Sequence, residues 1–113
     1  MDCIFCDIVS GKVPSDLVYR EEEIIAFRDV NPRAPVHILI VPKKHIPSIR
    51  EVADDDLPML ARMLKVANEI AKVEGIYNDG YRLVINCGRY GGQLVPHLHI
   101  HLLGGRLLSP EIG

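Results

Sequence analysis

The chain is short of the features that would place it at a membrane, on nucleic acid or outside the cell. Its 113 residues contain no apolar run near the roughly 20 residues needed to span a bilayer. Neither charge sign dominates: 13 Lys and Arg stand against 15 Asp and Glu, a formal net charge of -2. A nonspecific grip on DNA or RNA needs a basic face, so that class is excluded, while a single nucleotide remains open as a ligand. Met1-Asp2-Cys3 opens the chain without a basic segment or an apolar signal core, so the cytoplasm is the expected location. Three cysteines are an odd number, and in a reducing compartment no disulfide framework is expected of them. There is no repeat, no low-complexity tract, no linker and no carboxylate cluster suited to magnesium.

What is present reads as one ordinary globular domain over residues 1–113, with 48% hydrophobic and 25% charged residues. Cys3 to Ser10 predicts a short helix ending at Gly11. Leu17–Arg20 and Glu23–Arg28 predict two strands, and residues 29–35, with Pro32 and Pro35, a loop. His37–Val41 is nearly continuous in branched apolar residues, the pattern of a strand buried on both faces. Asp54-Asp55-Asp56 before Leu57-Pro58 predicts a helix start with a carboxylate on the free amides. Leu57, Leu60, Leu64, Ala67 and Ala71 form the expected core stripe, and Gly75 the expected C-terminal cap. Tyr81–Asn86 and Leu98–Leu103 predict two further strands. The order gives an α+β fold, an antiparallel sheet of about five strands with one long helix on one face.

The chemistry concentrates in five histidines. His97-Leu98-His99-Ile100-His101 alternates strictly, so on a strand three imidazoles share one face while Leu98, Ile100 and Leu102 enter the core. A flat strand places the α-carbons of its first and fifth residues about 13 Å apart. One metal held by all three is therefore a poor fit, and a metallohydrolase of that kind ranks low. Nucleophilic and acid–base work fits better, one neutral imidazole attacking phosphorus and another delivering a proton. The glycine-rich stretch Asn86–Gln93 leads into this segment, and its backbone amides can approach a phosphate closely. Asn86 and Gln93 add neutral side-chain donors, and Arg89 reads either as a further donor or as a solvated loop residue. Cys3-x-x-Cys6 has three readings: a buried pair, a redox pair, or half of a closed zinc site completed by two of the histidines.

These residues resemble the histidine-triad (HIT) superfamily. His97–Leu103 is similar to its His-x-His-x-His-x-x signature. Gly91-Gly92-Gln93 and Leu103-Gly104-Gly105-Arg106 resemble its Hint branch, as do Ile4-Phe5, Ala26–Asp29 and His37–His45. The resemblance covers nearly the whole chain. It implies the HIT fold, a homodimer whose sheets join, and hydrolysis of purine nucleoside phosphoramidates or related nucleotidyl conjugates. By the same resemblance His99 is the nucleophile, His101 contacts the phosphate or leaving group, and His37 and His97 support proton traffic. Asp29 binds the ribose. Phe5, Ile8, Phe27, Val30 and Leu39 enclose the base, and Asn86, Gly92, Gln93 and Val95 line the phosphate. Zinc-bearing relatives imply a structural zinc on Cys3, Cys6, His45 and His97, in which case the His97 ring fixes its segment and does not carry protons. Leu94 stands where Hint proteins usually carry a serine. The alternatives are a dinucleoside polyphosphate hydrolase of the same superfamily and a purine-nucleotide-binding regulatory module with little catalysis.

Overall fold

The computed structural model describes residues 2–112. Its elements are α1 (Ile4–Val9), β1 (Leu17–Arg20), β2 (Ile24–Arg28), β3 (Val36–Pro42), α2 (Leu57–Val73), β4 (Tyr81–Val84) and β5 (Ile100–Gly104), with two short 3-10 turns ahead of α2. The strands form one antiparallel sheet in the order β1-β2-β3-β5-β4, as the α+β reading expects. β3 lies at the centre, and six of its seven residues are buried.

The register sorts side chains cleanly between the two faces. Ile38 pairs with Leu102 and Ile40 with Ile100. These residues, with Ile24 and Ala26, turn toward α2 and form the main core. On the other face Phe27 lies opposite Leu39, Leu39 opposite His101, and His101 opposite Val84. Beside that row a second one runs from His37 through Leu103 to Arg82. The period-2 alternation of strand side chains thus gives the sheet one dry apolar face and one face carrying histidines.

α2 keeps the lower part of the expected stripe and changes the upper part: Ala67 and Ala71 are buried and Leu60 packs against the core, whereas Leu57 and Leu64 do not. Met59, Met63, Val66, Ala67, Ile70 and Ala71 are buried, whereas Leu57 and Leu64 remain 50% and 43% exposed. Both stripes satisfy the helical spacing, because apolar residues cover much of the first half of this helix. The sheet takes the face that combines flexible methionines with small alanines lower down, a shape that fits a twisted apolar surface. The helix start also differs. Asp56 makes no side-chain bond to the α2 amides. Its carboxylate instead accepts the Ala53 N–H (3.0 Å) and pairs with Lys44 (2.8 Å), closing the preceding 3-10 turn. The C-terminal end follows expectation: Gly75 adopts φ +77°, Ile76 N–H donates to Ala71 and Gly75 N–H to Lys72, the two bonds of a Schellman cap.

Both C-terminal strands are displaced from the predicted limits. β4 stops at Val84 and not at Asn86, and β5 runs from Ile100 to Gly104, so His97 and His99 precede the ladder. Pro96 bends the chain, the His97 N–H donates back to the Val95 carbonyl (2.8 Å), and the Leu98 N–H donates to Ile46 (2.7 Å). The alternation survives this, with Leu98 buried in the α2-side core. It is the hydrogen-bond partner of the segment that changes, from β3 to the loop beyond it.

Candidate active site and metal group

Backbone partners fix the protons on three of the five imidazoles. A neutral ring carries one N–H and one bare nitrogen, and a carbonyl can only accept. His99 Nδ1 lies 2.7 Å from the His97 carbonyl, so it donates there and leaves Nε2 bare. His97 Nε2 lies 2.8 Å from the Pro42 carbonyl, so it donates there and leaves Nδ1 bare. His37 Nδ1 accepts the Arg33 N–H at 3.0 Å, so its own hydrogen sits on Nε2. That Nε2–H donates to His101 Nδ1 at 3.0 Å, with Asp29 Oδ2 at 3.4 Å. His101 is left presenting Nε2–H outward, at the end of a chain from Arg33 through His37.

Burial keeps these rings neutral. It pushes His99 and His37 below the ordinary histidine range, the nearby Asp29 carboxylate opposing it in both. His101, also facing His99 and His37, is held down at about 4. Phe5 on α1 contacts both halves of the histidine segment edge-on, with ring centroids 5.8 Å from His97 and 5.1 Å from His99.

His99, His101 and His37 line a cavity of about 740 Å³ on the open face of the sheet. Phe5, Ile8, Phe27 and Leu39 wall its end under α1, and Val30 stands at its rim, 90% exposed. Asp29 also lines it, one carboxylate oxygen accepting the Asn31 N–H at 2.8 Å. Asn86, Gly92 and Val95 border it from the glycine-rich loop. Gln93 does not line it. Its side chain turns into the loop, Oε1 accepting the Gly88 N–H (2.9 Å) and Nε2 donating to the carbonyls of Pro47 (2.7 Å) and Val95 (2.9 Å). It acts as a brace between the glycine-rich loop and Pro47. Gly91 is needed in that loop because a Cβ there would stand 2.3 Å from the Cys87 carbonyl oxygen.

His97 is also outside the cavity, fully buried behind Phe5. Its bare Nδ1 lies 3.3 Å from Cys3 Sγ, 3.6 Å from Cys6 Sγ and 3.2 Å from His45 Nδ1. Cys6 Sγ is 3.3 Å from His45 Nδ1, and one ligand atom from each of the four residues falls within 4.8 Å of the others. They lie close enough to bind one metal ion. The spacings match the edges of a tetrahedron with bonds of about 2.0 Å to nitrogen and about 2.3 Å to sulfur, ~3.3 Å between nitrogens and ~3.5 Å between nitrogen and sulfur. Burial and Cys3 push the Cys6 thiol up to about 11, so a cation is what would bring it to the thiolate. His97 Nδ1 thus faces the two cysteines and His45 and not the cavity.

A second group, Asp29, His37 and His101, is equally close-set. Its nitrogens are occupied differently. The Arg33 N–H holds the His37 hydrogen on Nε2, between the other two members, so the group is a hydrogen-bond chain and not a ligand set.

Sequence reading did not single out the Arg33 N–H or the Pro42 carbonyl, which set two of the tautomers. It also missed Arg82, Leu103 and Arg106, which line the far end of the cavity. Leu103 was within reach, since it continues the spacing of two that joins the histidines.

Residues 2–111 match the family described as scavenger mRNA decapping enzyme C-term binding. The chain is 50% identical over 111 residues to the purine nucleoside phosphoramidase of Escherichia coli K12, covering 98% of this chain and 93% of that one. Among solved structures, a HIT family hydrolase from Legionella pneumophila superposes with a TM-score of 0.96 at 48% identity, covering 99% of this chain and 100% of that one. A histidine triad protein from Clostridium difficile gives 0.95 at 46% identity, covering 99% and 97%.

Proposed function

The chain belongs to the histidine-triad family, and from that premise we propose that it is a nucleotide hydrolase that cleaves purine nucleoside phosphoramidates through a nucleotidyl-His99 intermediate. One observation carries the assignment of the nucleophile. The His97 carbonyl takes the Nδ1 hydrogen of His99, leaving a bare Nε2 on a ring that lines the cavity.

The nucleoside occupies the end of the cavity under α1. The base lies among Phe5, Ile8, Phe27, Leu39 and Val30, and the ribose hydroxyls meet Asp29. The phosphate lies against His99 and the loop bearing Asn86, Gly92 and Val95. His99 Nε2 attacks phosphorus and forms a P–N bond. The bond to the leaving nitrogen breaks with its electron pair going to that nitrogen, which takes a proton from His101 Nε2. Water then attacks phosphorus, releases the nucleoside monophosphate and His99, and returns one proton to the His37–His101 pair. Positioned donors and a neutral nucleophile supply what phosphoryl transfer chiefly requires, placement and charge stabilisation.

Cys3, Cys6, His45 and His97 would hold zinc in a structural role. When bound, the ion neutralises the two thiolates and ties the N-terminus to the segment that carries His99. The reading also includes a homodimer, supported by the unpaired outer edge of β4 and by the exposed Ile85 and Leu94 beside it. It places the chain in the cytoplasm, where Cys3 and Cys6 stay reduced.

The test is release of AMP from adenosine 5′-phosphoramidate by the wild type and by His99→Ala. Turnover by the wild type and its loss in the variant are expected. Tight nucleotide binding with no turnover by the wild type would overturn the enzyme reading in favour of a binding module.

A further inference from the structure

The amide of Gln93 is committed at both ends, and its partners fix which way round it sits. The Gly88 N–H can only donate, so it faces Oε1 (2.9 Å). The carbonyls of Pro47 and Val95 can only accept, so they face Nε2 (2.7 and 2.9 Å). Both Nε2 hydrogens are thereby used. A planar group with one acceptor and two donor hydrogens, on a stem long enough to reach, meets all three partners. Asparagine is a methylene short, and an ionised glutamate has no hydrogen for the carbonyls.

The three partners belong to different segments. The Gln93 N–H donates back to the Gly88 carbonyl (3.0 Å), so main chain and side chain of Gln93 clasp Gly88 from both sides. Gly92, which lines the cavity, is held inside this clasp. Val95 lines the cavity too, and its carbonyl takes a second hydrogen bond, from the His97 N–H (2.8 Å). The His97 carbonyl in turn orients His99. Pro47 follows Ile46, whose carbonyl takes the Leu98 N–H (2.7 Å). One half-buried side chain therefore ties the cavity's glycine-rich border to the segment that carries His97 and His99.

We infer, resting on the hydrolase reading above, that Gln93 is a positioning residue for the attack on phosphorus. It touches neither the nucleotide nor His99. It sets the distance between the backbone at Gly92 and Val95, against which the phosphate lies, and the His99 ring that attacks it. The contacts to base and ribose are at the other end of the cavity, so loosening the clasp moves the reacting atoms apart without releasing the nucleoside. A displacement of about 1 Å in such a geometry costs on the order of 10²-fold in rate. The loss falls on kcat and not on KM.

Steady-state kinetics of full-length Gln93→Met and Gln93→Glu on adenosine 5′-phosphoramidate, and NMR of the isotope-labelled wild type, test this. Gln93→Met keeps the length of the side chain and removes its N–H groups. It is expected to lower kcat by about 10²-fold while KM stays within about threefold, with kcat referred to the concentration of sites that bind AMP. Gln93→Glu sets an oxygen against the Pro47 and Val95 carbonyls and should be at least as slow. In the wild type the two side-chain amide hydrogens of Gln93 should exchange slowly with water and keep their chemical shifts when AMP saturates the protein, because they stay on the two carbonyls. That measurement needs no variant and is independent of how well either one folds. Turnover by Gln93→Met equal to wild type would overturn the assignment. So would a rise in KM at unchanged kcat, or a large shift of the side-chain amide signals on AMP binding, either of which would make Gln93 a direct phosphate donor. Failure of the wild type to turn over the phosphoramidate would instead overturn the hydrolase reading.

Discussion

His97 and His99 are two residues apart, point to the same side of the sheet and touch the same phenylalanine, yet their hydrogens sit on opposite ring nitrogens. His97 gives its Nε2 hydrogen to Pro42 and turns Nδ1 toward two cysteines and His45. His99 gives its Nδ1 hydrogen to the carbonyl of His97 itself and keeps Nε2 free in the cavity. Burial alone does not separate them, since both are buried. What differs is which backbone carbonyl each ring meets. The same residue type two positions apart thereby faces the cysteine–histidine group in one case and the cavity in the other. The connection between them is direct, because the backbone of the first orients the ring of the second.

The strongest way to break this comparison is to exchange the consequences of the two side chains. His99→Ala should lower kcat by about 10³-fold or more, as loss of a nucleophile does, and lower the melting temperature less than His97→Ala does. His97→Ala should do the reverse in kind, lowering the melting temperature and the bound metal first, with activity falling through loss of the folded site. Thermal melts, metal content and turnover on the same two preparations decide it. A variant at His97 that keeps its metal and melting temperature but loses turnover would erase the distinction.

Metal removal sharpens the same contrast at a smaller scale. Chelation, or Cys3→Ser, is expected to lower the melting temperature by roughly 10 °C, corresponding to about 2 kcal/mol in a domain of this size. Calorimetry with and without added zinc measures it, and an unchanged melt would remove the structural role.

The effect of pH is smaller and graded. His101 is held at about 4 in the folded chain against an ordinary 6.5, so the folded state binds this proton less readily than the unfolded chain. Its contribution to stability is complete above about pH 6.5 and is lost as the pH falls through the window down to about 4. Urea titrations at a series of pH values should show stability declining across that interval, and His101→Gln should flatten the slope. A slope unaffected by the substitution would contradict the assignment.

The sequence already carried the sheet, because the branched apolar run of β3 has one sensible placement; the His-x-His-x-His alternation kept its facing although His97 and His99 precede the ladder. The sequence carried Leu60, Ala67 and Ala71 of the α2 stripe but not the residues that fill its first turns. Leu57, Leu60 and Leu64 make as good a stripe as Met59, Met63 and Val66, and only the sheet surface chooses between them. Leu64→Ala should accordingly cost under about 0.5 kcal/mol, a surface value, in a denaturation experiment. The cysteine–histidine group was legible in its members, and their spacing in the structure agrees with the proposed set. The tautomers were not, since they depend on Pro42 and Arg33 backbone atoms whose positions no side-chain pattern encodes. Gln93 shows what a side-chain pattern leaves out: an amide beside a glycine-rich loop looks like a phosphate donor, and in the structure its two ends bond backbone atoms of Gly88, Pro47 and Val95.

The central claim is that the bare Nε2 of His99 forms the covalent bond to phosphorus. Wild-type protein mixed with adenosine 5′-phosphoramidate, quenched in alkali during turnover and digested, should yield an AMP adduct on the peptide that contains His99, localised to that residue by fragmentation. The adduct should be absent from His99→Ala. An adduct on His101 or His97, or turnover that persists in His99→Ala, would contradict the account.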